Sequence, residues 1–397
     1  MNHLLVQEFE KELFGTLNYW ATSTIDNENG GFYGQIENDN KVAAEAGKGA
    51  VLNARILWFF SAAYNHNPSP TSLVLASRSY EYIRDHFVDT EFGGVYWSVD
   101  FKGNPLDTKK QVYALSFAIY GISEFYKASK NEEALDLAKM LYADIEKHSF
   151  DPINEGYFEA FSREWTELAD LRLSDKDANE KKTMNTHLHV LEAYSNLYSI
   201  WPYEGLRKQI RGLLSVFANK IIDRHTHHLN LFFDENWHSK SGAISFGHDI
   251  EASWLLLEAA EVIDDRELIQ QFRNIAVEMA TAAMRGLDSN GGLNYEVEKN
   301  HWNKEKHWWV QAEAMVGFFN AFQLTANQSF YDRFEQCWEF TKAHILDHIN
   351  GEWFWGVDEN LSLMPQQYKA GIWKCPYHNG RACLEMIKRL KMTDKNA

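Results

Sequence analysis

The sequence predicts an all-α protein built as an (α/α)6 barrel, with six outer helices around six inner ones. Three observations carry this. Short Gly-aromatic segments recur at a near-constant step. Two kinds of helix alternate between them, one amphipathic and one apolar nearly all round. Proline is scarce, 7 in 397 residues, which favours long helices over a loop-rich β fold.

The recurring segments are Gly30-Gly31-Phe32-Tyr33-Gly34, Gly93-Gly94-Val95-Tyr96-Trp97, Glu155-Gly156-Tyr157-Phe158, Leu229-Asn230-Leu231-Phe232-Phe233, Gly291-Gly292-Leu293-Asn294-Tyr295 and Gly351-Glu352-Trp353-Phe354-Trp355. From Gly31 to Gly351, five steps cover 320 residues, a mean of 64. That step fits a helix pair with its loops. The fourth segment lacks glycine, and the step before it is the longest. The segments read as short hairpins or turns.

Outer helices are expected near 4–22, 71–87, 132–148, 204–223, 266–285 and 329–348. Their charges lie on one face, as in Asn131-Glu132-Glu133-Ala134-Leu135-Asp136-Leu137-Ala138-Lys139. Inner helices are expected near 47–65, 109–127, 181–199, 246–262, 306–324 and 372–390. These are apolar nearly all round, as in Ala54-Arg55-Ile56-Leu57-Trp58-Phe59-Phe60, which is the mark of a buried helix. An open solenoid would need polar capping repeats, and the end repeats are not polar. The ring is therefore expected to close, with loops at one end walling a central pocket. No linker interrupts the repeat, so 1–392 reads as one catalytic domain and 393–397 as a short frayed tail.

The formal net charge of −17 argues against a nucleic-acid or anionic-membrane partner, and no basic run overrides it. Cys337, Cys375 and Cys383 are odd in number and lack C-x-x-C spacing, so neither a disulfide framework nor a zinc knuckle is indicated. No apolar run reaches membrane-spanning length and the first residues lack a signal-peptide pattern; a cytoplasmic protein is expected. The 14 Trp include candidates to cover the C–H faces of a sugar.

The chemistry sits where polar residues interrupt the apolar inner helices. The six contribute Arg55; Tyr113; Asn185, His187 and His189; His248 and Glu251; Trp308, Trp309 and Glu313; and Trp373, Tyr377, His378 and Asn379. All are expected in the first half of their helix, so parallel inner helices bring them to one end of the ring. His187 and His189 are about 200° apart on a helix and cannot both face the pocket; His189 is expected inward. Glu251, one turn after His248, is expected to orient it, and Asp249 to cap or brace the helix start. Arg55 needs a carboxylate partner, for which Glu251 or Glu313 is available.

His248-x-x-Glu251 has metal-ligand spacing, but there is no H-E-x-x-H, second Glu-x-x-His or Asp-rich loop; no metal is expected. The absence of G-x-S-x-G, a P-loop and G-x-G-x-x-G leaves acyl transfer, phosphoryl transfer and dinucleotide binding without support. Two histidines with an arginine and an asparagine suit proton removal beside an aldehyde. Imidazole titrates near neutrality, at about 6.5. Arg55 or Asn185 would stabilise the enediolate. A glycosidase would use a carboxylate pair, for which Glu251 and Glu313 qualify, but the histidines would be left unexplained.

Four stretches resemble the N-acylglucosamine 2-epimerase superfamily: Lys182-Thr183-Met184-Asn185-Thr186-His187-Leu188-His189-Val190-Leu191-Glu192, Gly247-His248-Asp249-Ile250-Glu251 with Ser253-Trp254-Leu255-Leu256, Trp308-Trp309-Val310-Gln311-Ala312-Glu313-Ala314, and Trp373-Lys374 with Pro376-Tyr377-His378. Within it they are most similar to the cellobiose 2-epimerases. The resemblance runs from about Arg55 to Arg381. It implies an (α/α)6 barrel and a cofactor-independent epimerase acting at C2 of the reducing-end glucose of β-1,4-linked disaccharides. Cellobiose would become glucosyl-mannose, and lactose epilactose. It further implies His248 and His378 as the acid/base pair. His189, Arg55 and Asn185 would hold the opened sugar and its enediolate. Glu251 and Glu313 would support the histidines and hydroxyls, Trp309 and Trp373 would stack on the sugar, and Tyr113 would line the site. The expected partner is a small disaccharide, and the chain is expected to be a monomer or weak homodimer. An N-acylglucosamine epimerase, a mannose or other aldose–ketose isomerase, and a non-catalytic glycan-binding barrel are the alternatives.

Overall fold

The computed structural model describes the backbone of residues 2–396 and the side chains of 3–393. The outer helices are α1 (Asn2–Thr22), α3 (Pro70–Tyr82), α5 (Glu132–His148), α7 (Glu204–Val216), α9 (Arg266–Ala283) and α11 (Gln328–His344). The inner ones are α2 (Ala50–His66), α4 (Val112–Ser129), α6 (Met184–Tyr198), α8 (Phe246–Val262), α10 (Trp308–Thr325) and α12 (Tyr377–Asn396). Each inner helix packs on the next in chain order, and α12 packs back on α2, so the ring closes. Almost every residue of α2 from Ala50 to Ser61 is buried, whereas α5 buries only the stripe Ala134, Leu135, Leu137, Ala138, Leu141, Tyr142 and Ile145. Asn131, Asp265 and Asn327 cap α5, α9 and α11 through their side chains. No helix among the described residues is long and apolar enough to cross a membrane.

The Gly-aromatic segments are tight turns, as expected. Six single antiparallel bridges close them: Ile25 with Phe32, Val88 with Val95, Phe150 with Tyr157, Ile222 with Leu229, Leu287 with Leu293, and Leu346 with Trp353. The residue two before the second bridge partner is left-handed each time, at Gly30, Gly93, Glu155, His227, Gly291 and Gly351. The missing glycine of the fourth segment is thus replaced by His227, at φ 59°. An aspartate opens most of these turns by accepting backbone N–H groups, as Asp26, Asp89, Asp151, Asp223 and Asp347 do.

Two expectations need correction. Five inner helices start later than predicted: four because the residues before them form short strands, Lys48–Gly49, Lys110–Gln111, Lys182–Thr183 and Lys306–His307, and α12 because an irregular loop, 371–376, follows the strand Tyr368–Ala370. Each strand pairs with the strand after a neighbouring repeat's turn, and Tyr368–Ala370 pairs with Ile36–Glu37 of the first repeat, closing this ring too. The lysine of each strand reaches a turn aspartate: Lys48–Asp26, Lys110–Asp89, Lys182–Asp151, Lys306–Asp288 and Lys369–Asp347, at 2.5 to 3.0 Å. In the fourth repeat Ile244 stands at the lysine position. The second correction is at the C-terminus. There α12 runs through Thr393 to Asn396, where a frayed tail was expected; Ala397 lies outside the described residues.

Candidate active site

The inner helices all begin at the same end of the barrel, and there a cavity of about 410 Å³ opens. Arg55, Tyr113, Asn185, His189, His248, Glu251, Trp309, Trp373 and His378 line it. Glu313 stands behind His378, its Oε1 2.7 Å from His378 Nδ1. Trp373 is not on an inner helix as expected but in the loop that enters α12. The sequence did not reveal Leu173–Asp177, His307, Gln367 and Tyr368, which complete the wall together with Tyr295 and Trp355, the last residues of two Gly-aromatic segments. Residues 173–177 belong to an insertion between the third turn and α6, and the long step was the one signal for it. A second cavity of about 680 Å³ adjoins, sharing Asn185 and His248 with the first and bordered by Glu159 and Ser245.

Three of the pocket histidines have Nδ1 engaged from behind, whereas His307 is held through Nε2 by Glu305 at 2.8 Å. His378 has Glu313; His189 has Glu192 Oε2 at 2.9 Å; His248 has Ser245 Oγ at 2.8 Å. His187 faces away as expected, with Nδ1 2.6 Å from the Thr183 carbonyl and Nε2 accepting from Tyr157 N–H at 2.9 Å. Burial lowers the pKa of all of them, to about 3 for His248 and about 4 for His187. His378 is lowered further by the Arg55 and Arg381 charges. Asp249 braces the helix start: its carboxylate meets His228 Nδ1 at 2.6 Å and accepts from Leu229 N–H at 2.8 Å.

Two pairings differ from expectation. Glu251 does not orient His248, and Arg55 takes no carboxylate among the described residues. Arg55 donates to Tyr113 Oη at 2.8 Å, and its guanidinium carbon lies 4.1 Å from the Phe117 ring centre and 4.7 Å from that of Tyr377. Aromatic faces replace the anion, which leaves the charge directed at the cavity. The carboxylates go to Arg381. Its Nη2 donates to Glu251 Oε1 at 2.6 Å and Glu313 Oε1 at 2.7 Å, and its Nη1 donates to Glu192 and Tyr377. The signal for Arg381 was a charge amid Ala382-Cys383-Leu384, one turn after His378. Burial and the Glu313 charge raise the pKa of Glu251. Burial pushes Glu192 up too, but Arg381 and His189 outweigh it and hold the carboxyl below its usual range. Ligand atoms of Glu251, Glu313 and His378 lie within 4.8 Å of one another, close enough for a cation, and Arg381 already occupies both carboxylates.

Trp309 is placed by α8. Its ring centre is 4.8 Å from that of His248 and 5.6 Å from that of His378. A Cβ at position 247 would stand 2.5 Å from Trp309 Cη2, so only Gly247 admits the indole between the two histidines. Arg55 Nε, Asn185 Oδ1 and the indole N–H groups of Trp308 and Trp355 are buried without a hydrogen-bond partner among the described residues. A polar ligand in the cavity would satisfy them.

A closed double ring of helices with histidines, an arginine and indoles around a sugar-sized cavity defines a carbohydrate-active barrel. The chain belongs to the N-acylglucosamine 2-epimerase family, whose model matches residues 31–382, and it is an epimerase of that family acting on a small sugar. It is 51% identical over 98% of its length to the whole cellobiose 2-epimerase of Bacteroides fragilis. It is 40% identical over 96% of its length to 98% of the cellobiose 2-epimerase of Dictyoglomus turgidum. The solved cellobiose 2-epimerase of Bacillus thermoamylovorans superposes with a TM-score of 0.92 at 41% identity, covering 98% of this chain and all of that one.

Proposed function

We propose that the protein epimerises C2 of the reducing-end glucose of β-1,4-linked disaccharides, cellobiose to glucosyl-mannose and lactose to epilactose, without a cofactor. We infer that 1–392 works as one catalytic domain. The observation that carries the mechanism is that His248 and His378 line one cavity beside Trp309, each with Nδ1 held from behind. Nε2 of each is left for substrate. A neutral imidazole takes the C2 proton of the ring-opened sugar. Arg55 and Asn185 bear the charge of the enediolate, and His189 and Tyr113 fix its hydroxyls. Rotation about C2–C3 turns the other face, and the second histidine delivers a proton. Trp309 and Trp373 cover the sugar. A glycosidase reading is disfavoured because Glu251 and Glu313 are both tied to one guanidinium and 1% exposed.

The test is incubation with cellobiose or lactose in heavy water, following C2 by NMR. Deuterium at C2 with a manno-configured product is expected. His248→Asn and His378→Asn should each lose about 10²–10⁴-fold in turnover. Binding without exchange would replace the enzyme by a glycan-binding barrel, and a ketose as sole product by an isomerase.

A further inference from the structure

We propose that Ser245 is a positioning residue for His248, and that its neutral hydroxyl, where His378 and His189 have carboxylates, makes the two proton transfers separately adjustable. This rests on the two-histidine reading above. Ser245 is the N-cap of α8, where a serine ordinarily accepts from a backbone N–H of the first turn. Its side chain makes no such bond. Thr183, at the same place on α6, does, accepting from Thr186 N–H at 3.1 Å. The Ser245 hydroxyl instead lies 2.8 Å from His248 Nδ1. Its backbone is fixed in register opposite Glu296, and the residue is 3% exposed. So a short, immobile side chain forgoes the cap to hold the ring.

The chemistry follows from the atoms. With Ser245 Oγ accepting from Nδ1–H, the imidazole keeps its proton on Nδ1 and offers Nε2 as the base. After the C2 proton arrives on Nε2, the same bond holds the imidazolium. A hydroxyl stabilises that cation less than a carboxylate does. Glu313 plays this part behind His378 and Glu192 behind His189. The barrier for transfer at His248 therefore depends on Ser245, and the barrier at His378 on Glu313.

Ser245→Val and Ser245→Thr separate hydroxyl from shape. With both C2-deuterated epimers, kcat/KM for Ser245→Val should fall tenfold or more in both directions, while Ser245→Thr stays within threefold of the parent. Ser245→Ala, which adds no methyl, should behave as Val does. Slowing only the His248 step should raise the deuterium isotope effect for the epimer that His248 deprotonates. It should lower the effect for the other epimer, whose C–H cleavage then precedes the limiting step. A purely structural role would move both the same way. The proposal is overturned if Val and Ala stay within threefold, if Thr is as damaged as Val, or if both isotope effects shift alike. Full activity of His248→Asn would instead overturn the two-histidine reading itself.

Discussion

Arg381 is the residue on which the site's charges balance. Three buried carboxylates converge on one guanidinium, and two of them back histidines. Removing it leaves buried anions uncompensated. Arg381→Met should cost about 3–5 kcal/mol in urea unfolding, whereas Arg172→Met, at a solvent-screened pair with Asp170, should leave the unfolding midpoint nearly unchanged. His187 makes a separate prediction. Burial lowers its pKa to about 4 in the folded chain against about 6.5 unfolded, so below that value the unfolded state binds more protons. Stability then rises with pH through this window and is lost as pH falls from about 6.5 toward 4. Melting curves over that range should drop more steeply for the parent than for His187→Gln.

The site residues were legible because each is a polar group in an otherwise apolar helix. Their partners were not. A spacing of three residues puts Glu251 on the face of His248, but it cannot tell whether the carboxylate turns along its own helix or across to Arg381. For Arg55, an anion was expected because a buried charge needs compensation; aromatic faces from α4 and α12 supply part of it.

Among elements, α8 does more than carry His248. Its first turn is thinned at Gly247 so that Trp309 of α10 can lie against it. Gly247→Ala should displace the indole and lower kcat/KM at least tenfold, with an overpacking cost of about 1–3 kcal/mol seen as a lower Tm. The lysine–aspartate links tie five of the six inner helix entrances to the turn before them. Lys182→Met strands Asp151 and should destabilise by about 3–5 kcal/mol in the same urea assay. The repeat that lacks such a link, with Ile244 before α8, is also the one that carries Ser245 and His248.

At the scale of the whole molecule, closure does the positioning. Arg55 of α2 meets the rings of α4 and α12, and Arg381 of α12 reaches Glu251 of α8 and Glu313 of α10. No open arc of repeats would assemble these contacts. A chain ending at Pro376 lacks one inner helix and should show no cooperative thermal transition, where the parent shows a single one by calorimetry.

By itself the sequence determined the period, the alternation of outer and inner helices, and the polar residues destined for one end. These follow from local rules: burial sets the pattern along each helix, and a shared chain direction puts like positions together. Only the tertiary structure decided which acid serves which base. Glu313 behind His378 and Arg381 among three carboxylates are choices between side chains far apart in sequence, made by packing distances that no spacing along one helix encodes; Ser245 lies only three residues before His248, but it holds the ring because Arg381, from across the barrel, takes Glu251.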